Sequence, residues 1–474
     1  MELKRQPHRS SRWTRLGKVS HVIVAHNPVG PADDPSTSDV LAQVELVAGT
    51  LAKLGVAVTR LPIAEWRVWE DLARLGMAQG LGSLGALAAT GNLALDPETV
   101  VFNLVEAPPG VPGVHPATAA ALELLGLPFS GSSAACLWLT TDKLATRAVL
   151  AAEGLPVPAG GRLDRLVDLG GDRLDRNDRN DCRQGRHGHD GHNGRDAWPG
   201  GAEVFERVPP PWILKPAHED ASLGLDGEAV CATRDAALAR AAELLHRFPG
   251  QPVLVERYLP GRELNVSLLA APASADPKKD GEEPPTVLPV AEIEFVDYPP
   301  GMPRIVGYEA KWQPESFAYT HTVRRFPEGA ESEEVLEQAR RLAVAAWHVC
   351  GLSGYGRVDL RLDERGVPHV LEVNANPCLA ADAGFMAAAE QAGLTATDVI
   401  ARILTATVAR HRRLAVPAAR VSKRRPERLM AVGAEAGGAS PKAPAFPRGG
   451  LRCQNRGRAQ GPAAGAAQAL PRLP

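Results

Sequence analysis

The clearest pattern in the chain is two runs of strict apolar–polar alternation separated by a few turn residues. Arg357-Val358-Asp359-Leu360-Arg361-Leu362 is followed by Asp363-Glu364-Arg365-Gly366 and then by Val370-Leu371-Glu372-Val373-Asn374-Ala375-Asn376-Pro377. A period of two is that of a half-buried strand. The intervening turn residues predict an antiparallel hairpin. Arg357, Asp359 and Arg361 then share one face of the first strand, and Glu372 and Asn374 share one face of the second.

Upstream, Val19–Ala25 reads as a first strand and 38–54 as a helix ending at Gly55. Val56–Thr59 is a second strand and Val100–Val105 a buried third. This alternation predicts an α/β domain with a parallel sheet over residues 19–130. A helix is expected over 140–153, with Thr140 or Thr141 as N-cap, Asp142 in the first turn and Gly154 beyond its end. Strands follow at Trp212–Lys215, Val253–Glu256 and Leu264–Leu269, and helices at 333–350 and 397–412.

Two stretches break these patterns. Residues 162–208 are filled with Asp, Arg, Asn, Gly and His, and 272–286 are Pro-, Lys- and Glu-rich. Neither can bury enough apolar surface to order itself, so both read as insertions. Residues 1–18 and 413–474 read as disordered basic ends. The intervening chain divides into lobes at 131–270, carrying the 162–208 insertion, and at 271–412.

The formal charge of −2 conceals an asymmetry. Residues 413–474 hold twelve Lys and Arg and two acids, a net of +10, so the first 412 residues carry −12. The balance gives no general reason to expect nucleic acid, and the tail reads as solvated. Six scattered cysteines without CxxC spacing imply reduced thiols. No apolar run approaches the roughly 20 residues of a membrane span, and no apolar segment follows the basic N-terminus, so a cytoplasmic location without membrane association is expected.

Candidate chemistry clusters on the hairpin. Two carboxylates, an amide oxygen and Arg357 would converge on one face, and hard oxygen ligands suit Mg²⁺ bridging a protein to nucleotide phosphates. Lys215-Pro216 ends a strand and opens the loop Ala217–Gly224, whose Ser222 and backbone N–H groups could close over phosphate oxygens. Glu256 ends another strand, and the Pro260-Gly261 turn returns Glu263 to its vicinity. The backbone of Tyr258 and Leu259 could read an adenine edge. Lys311 beside Trp312 reads in isolation as a surface lysine.

Taken in order, these segments resemble the ATP-grasp superfamily, and within it D-alanine–D-alanine ligase. The matching segments are Thr141-Asp142-Lys143, Ile213-Leu214-Lys215-Pro216, Val255-Glu256 through Gly261-Arg262-Glu263, Tyr308-Glu309-Ala310-Lys311, Gly354-Tyr355-Gly356-Arg357-Val358-Asp359, and Leu371-Glu372-Val373-Asn374 with Asn376-Pro377. Leu127-Pro128-Phe129-Ser130-Gly131 resembles the family's link between first and second domains. The resemblance spans residues 98–411 apart from the insertions. It implies an α/β fold overall, α+β in two ATP-holding lobes that follow the N-terminal α/β domain.

The resemblance also implies roles. Lys143 and Lys215 would neutralise phosphates. Glu256, with the backbone of Tyr258 and Leu259, would contact adenine, and Glu263 the ribose. Lys311 would reach the transferred phosphoryl group. Asp359, Glu372 and Asn374 would bind Mg²⁺, two ions in all with Mn²⁺ as a substitute. Arg357, Lys311 and Ser222 would form the catalytic set. The implied activity joins a small-molecule carboxylate to an amine through an acyl phosphate, and a homodimer is compatible with it.

The substrate half departs from the D-alanine ligase pattern. His26-Asn27-Pro28-Val29-Gly30-Pro31 stands where the family has Gly-Gly-x-Ser-x-Glu, and Val105-Glu106-Ala107-Pro108-Pro109-Gly110 where it has His-Gly-x-x-Gly-Glu-Asp-Gly. Ala221 replaces the loop serine, Trp312 a tyrosine and Cys378 a glycine, and Ala383-Gly384 lies where a serine-leucine pair holds the acceptor carboxylate. The expectation is therefore a ligase with another substrate pair. The alternatives are a true D-alanine–D-alanine ligase and a non-catalytic ATP-binding module. His187, His189 and His192 read as a polar linker rather than a metal site, and Cys378 as a packing residue rather than a nucleophile.

Overall fold

The computed structural model describes residues 19–28, 35–64, 99–165, 200–272, 283–327 and 330–414. The expectations for both termini, for His187, His189 and His192, and for most of the two insertions lie outside these residues.

The first layer is a parallel sheet of order β2-β1-β3, with β1 His21–His26, β2 Ala57–Pro62 and β3 Thr99–Leu104. Helix α1 (Pro35–Lys53) crosses from β1 to β2. Alternate residues of β1 feed two separate cores. Val22 and Val24 pack with Val44, Val47 and Leu51 of α1. Ile23 and Ala25 pack on the other face with Ala119, Ala121 and Leu122 of α2 (Val114–Leu124). Burial on both faces is why β3 is apolar almost throughout.

After α2 the chain returns to the sheet, where Val101 N–H donates to the Pro128 carbonyl at 2.8 Å. The helix expected over 140–153 is two helices, α3 (Ala134–Thr141) and α4 (Lys143–Ala152). Asp142 separates them. Its backbone is extended and its carboxylate accepts from Leu144 and Ala145 N–H, so it is the N-cap of α4 rather than a first-turn residue.

A four-stranded antiparallel sheet follows, in the order β4 (Gly160–Leu163), β7 (Val253–Arg257), β5 (Trp212–Pro216) and β6 (Val230–Cys231). Helices α5 (Val204–Arg207) and α6 (Arg234–Arg247) cover one face, and Phe205 meets Trp212 edge-on at 5.2 Å. The segment 162–208 therefore carries regular structure at both ends, and Arg162 and Gly200 form a β-bridge there.

The larger sheet runs β11 (Thr322–Arg325), β10 (Ala291–Phe295), β8 (Glu263–Leu269), β12 (Tyr355–Leu362), β13 (Pro368–Asn374), with β9 (Thr286–Val287) also on β8. The expected lobe boundary at 270 falls after β8, but β8 pairs with β10 and β12 and so belongs to this second sheet. Short helices α7 (Tyr308–Trp312) and α8 (Phe317–His321) precede β11. Helix α9 (Ala330–Cys350) covers one face. Its Leu336, Ala339, Ala343 and Trp347 pack on Leu264, Val266, Val358 and Leu360. The opposite face of these strands is polar and faces the site.

The chain then forms α10 (Gly384–Gln391) and α11 (Ala396–Leu414), which return to the first domain. Val399, Ile400, Ile403 and Leu404 share the α1 core. No single described helix is long and apolar enough to cross a membrane. Cys136, Cys231, Cys350 and Cys378 are free thiols.

Candidate active site

The β12–β13 hairpin is antiparallel, as expected. Arg357 stands opposite Asn374 and Asp359 opposite Glu372, with an irregularity immediately after Asp359. Directly paired residues share a face, so the four polar groups form one block. Arg357 donates to both carboxylate oxygens of Asp359 at 2.8 and 2.9 Å. The same carboxylate accepts from Asn265 Nδ2 at 2.9 Å and from Asn374 Nδ2 at 3.0 Å. Burial opposes the charge on Arg357, but Asp359 outweighs it and holds the guanidinium firmly protonated.

Glu372 is neutralised from another element. Lys143, the first residue of α4, places Nζ 3.1 Å from Glu372 Oε1 and 3.6 Å from Asp220 Oδ1. It also donates to the Glu219 carbonyl at 2.5 Å. Burial favours a protonated Glu372, but Lys143, Lys215 and Lys311 together hold its carboxyl at about 2. The three lysines come from α4, β5 and α7 and are far apart in sequence, yet one carboxylate senses them all. Lys311 is exposed, and desolvation by its surroundings together with Arg357 lowers its pKa.

At the small sheet the geometry differs from the expectation. Leu254 pairs with Lys215 and Glu256 with Ile213, so Lys215 and Glu256 are diagonal neighbours on one face. Lys215 Nζ lies 3.1 Å from Glu256 Oε2, and Arg147 of α4 contacts the other oxygen. Glu256 is 1% exposed. Its carboxylate is a buried counter-ion of Arg147 and Lys215. Arg147 also donates to the Leu371 carbonyl at 3.0 Å, tying α4 to β13 beside Glu372.

Glu263 stands opposite Arg361 across β8 and β12 and accepts from its Nη1 at 2.8 Å. The Arg361 guanidinium lies over the Tyr258 ring at 5.1 Å and the Phe295 ring at 5.5 Å. Burial raises the Glu263 pKa, and Arg361 works against that. Tyr258 N–H is already given to the Pro211 carbonyl at 2.8 Å, so it does not offer a donor to a base edge. Leu259 is buried next to it, and its N–H makes no hydrogen bond among the described residues.

The loop after β5 folds over the lysines. Ala221 and Ser222 both adopt left-handed backbone, at φ 56° and 63°, a conformation that costs about 1 kcal/mol or more per residue outside glycine. Ser222 Oγ donates to the Val306 carbonyl at 2.8 Å, and Trp312 Nε1 to the Ala221 carbonyl at 3.0 Å. Ser222 therefore fastens the loop to the segment before α7. Gly224, at φ +74°, lies so close to Pro216 that a Cβ would come within 2.8 Å of it. On the other flank Glu219 accepts from Gly110 N–H and from Gln251.

Arg147, Asp220 and Asn265 join the site without having been singled out, and Arg361, expected only on the hairpin's polar face, joins it as the partner of Glu263. A polar residue at the right parity in a strand was a usable signal for Asn265 and Arg361. None was available for Arg147, whose helix meets β13 only in the fold.

Among the described residues no group of three or more His, Cys, Asp or Glu is placed to hold a metal ion. The donor set of Asp359, Glu372 and the Asn374 amide still suits a hard divalent ion, being all oxygen. Asn374 turns its amide nitrogen to Asp359, leaving its oxygen available.

Comparisons with known proteins agree with this architecture. Residues 192–405 match the family described as D-ala D-ala ligase C-terminus. The crystal structure of D-alanine–D-alanine ligase from Bacillus anthracis complexed with ATP aligns with a TM-score of 0.54 at 16% identity, covering 83% of this chain and 99% of that one. The enzyme from Coxiella burnetii gives 0.52 at 16%, covering 84% and 96%. In sequence the chain is 28% identical over 284 residues to the D-alanine–D-alanine ligase of Bordetella avium, 60% of this chain and 71% of that protein. It is also 28% identical over 307 residues to the uncharacterized protein y4sG of Sinorhizobium fredii strain NGR234, 64% and 73% respectively. The chain shares the fold of the D-alanine–D-alanine ligase structures, and residues 192–405 resemble the C-terminal part of those ligases.

Proposed function

We propose that the chain is an ATP- and Mg²⁺-dependent carboxylate–amine ligase that works through an acyl phosphate on a substrate pair other than two D-alanines. The observation that carries this reading is the convergence of Lys143, Lys215 and Lys311 on Glu372, beside the Arg357–Asp359 pair.

A carboxylate is a poor electrophile. In the proposed reaction a carboxylate oxygen attacks the γ-phosphorus of ATP and the bond to the bridging oxygen breaks, giving an acyl phosphate and ADP. The amine lone pair then attacks the acyl carbon, the C–O bond to phosphate breaks, and the nitrogen loses a proton. Lys143 and Lys215 neutralise phosphate oxygens, and Lys311, on a short helix at the rim, meets the moving phosphoryl group. Arg357 offsets charge on the acyl oxygen while Asp359 fixes its guanidinium. A bound Mg²⁺ would be held by Asp359, Glu372 and Asn374 and would neutralise phosphate charge. Ser222 and the loop backbone exclude water. Glu263 with Arg361 forms the ribose end.

The departures at His26–Pro31, Val105–Gly110 and Ala383-Gly384 support a different substrate pair. ADP release measured over a panel of amino acids and dipeptides tests the reading. Stimulation by pairs other than D-alanine is expected. Stimulation by D-alanine alone would restore that substrate, and no stimulation by any carboxylate would overturn the ligase.

A further inference from the structure

Amide formation leaves one proton to be placed. When an amine attacks an acyl carbon its nitrogen becomes cationic, and the amide forms only when that nitrogen gives a proton up. The group that accepts it needs a lone pair without a fixed partner, close to both the phosphate lysines and the substrate segments.

Most acceptors in the site are already engaged. Glu256 is buried between Arg147 and Lys215. Glu263 accepts from Arg361, and Asp359 from Arg357, Asn265 and Asn374. Glu372 faces Lys143 and belongs to the proposed metal set. Glu219 accepts from Gly110 N–H and from Gln251. Ser222 gives its hydroxyl hydrogen to the Val306 carbonyl, and the loop histidine, His218, lies 3.5 Å from Asp142.

Asp220 differs from all of these. Its side chain is 41% exposed, and among the described residues its one ion pair is with Lys143, at 3.6 Å. Lys143 sits closer to Glu372 and to the Glu219 carbonyl, so it does not bind Asp220 tightly. The backbone around Asp220 is fixed. Leu223 N–H donates to the Asp220 carbonyl at 3.1 Å, and the next two residues, Ala221 and Ser222, are both left-handed. Strain of this kind persists where the surroundings hold it in place, as at active sites. The charge of Asp220 acts on Lys311 and Glu372 on the nucleotide side and on Glu106 at the end of β3. It therefore stands at the seam between the phosphate lysines and the N-terminal domain.

We propose that Asp220 is the general base of the amide-forming step, taking the proton from the attacking nitrogen. This rests on the ligase reading above and adds a catalytic residue to it. The amine lone pair forms the C–N bond, and the C–O bond to phosphate breaks with its electrons leaving on phosphate. One N–H proton passes to an Asp220 oxygen, giving a neutral amide and a carboxylic acid. The exposed edge of Asp220 returns that proton to water.

Hydroxylamine separates this step from acid activation. It attacks an acyl phosphate without a protein base and gives a hydroxamate, so hydroxamate formation reports activation alone. With MgATP, each acid of the panel, D-alanine, L-alanine and glycine among them, is offered either hydroxylamine or an amine from the same panel. Asp220→Asn should lower amine-dependent turnover relative to hydroxamate formation by at least about a hundredfold, the usual scale of a lost general base. Asp220→Glu should recover part of that ratio. Equal losses with both nucleophiles would overturn the assignment, because Asp220 would then act before the amine arrives. An unchanged ratio would overturn it too, as would a selective loss in Glu106→Gln in place of Asp220→Asn. Each of these results leaves the ligase reading standing. Hydroxamate from no acid, or no amine-dependent turnover by the wild-type protein, would overturn the ligase reading and the base with it.

Discussion

Asp359 and Glu372 face one another across the β12–β13 pairing, yet they are neutralised from opposite directions. Arg357 holds Asp359 from its own strand, while Lys143 reaches Glu372 from the N-terminus of α4 at 3.1 Å. Glu372 is thus kept ionised, and both carboxylates are bound by cations that can be shared with an incoming polyanion. Removing one charge disturbs the block without removing a strand. Glu372→Gln should therefore fold normally by circular dichroism and lose at least about tenfold in Mg²⁺-dependent ATP affinity, a change of ~1.4 kcal/mol. Unchanged affinity would remove Glu372 from the proposed metal site.

Glu256 separates a structural from a nucleotide-contacting role. Its carboxylate is buried between Arg147 and Lys215. Breaking a buried ion pair by neutralising one partner typically costs about 3–5 kcal/mol. Glu256→Gln should lower the unfolding free energy measured by urea titration by an amount in that range. A variant with wild-type stability and weakened ATP binding would return Glu256 to an adenine contact.

Glu106 gives a pH test. It follows β3, accepts from Gln43 at 2.9 Å, and is held to the end of β1 through its backbone bonds to Asn27. Burial, with smaller contributions from Asp39 and Asp220, raises its carboxyl to about 7, against the Gln43 hydrogen bond. A folded pKa above the unfolded value means that the folded state binds the extra proton between roughly pH 4.5 and 7. Stability from this group is present below pH 4.5 and is lost as the pH rises through about 7. Glu106→Gln should leave the melting temperature unchanged at pH 4.5 and raise stability at pH 8 by about 1–2 kcal/mol. An equal shift at both values would show that the carboxyl is not perturbed.

Arg162 and Gly200 are bridged, so the two ends of the long polar segment already meet. Replacing residues 166–199 with a few glycines should leave the melting temperature within about 2 °C and ATP affinity within about twofold. A collapse in soluble yield would show that the segment contributes to the core.

The hairpin was legible because a period of two, a turn of Asp and Gly, and side chains of one parity all pointed to the same geometry. Parallel strands β1 and β3 were legible as continuous apolar runs. What escaped was set by tertiary contact. Asp142 scores as a helix-initiating acid, and only the backbone reveals that one helix ends and another starts on it. β8 follows β7 closely in sequence, so its membership of the other sheet depends on pairing with β12, ninety residues later. Glu256 ends a strand as a nucleotide ligand should, but Arg147 comes from a helix over a hundred residues upstream. Asp220 lies in a loop expected only to cover phosphates, so its weight became visible only beside Lys143.

The account depends on magnesium nucleotide being gripped by the three lysines and the Asp359–Glu372–Asn374 set. Isothermal calorimetry of the full chain with ATP, in the presence of Mg²⁺ and then with EDTA, measures that directly. One nucleotide per chain should bind with Mg²⁺ and weaken by at least about tenfold without it. Absence of binding under both conditions, or affinity indifferent to Mg²⁺, would contradict it.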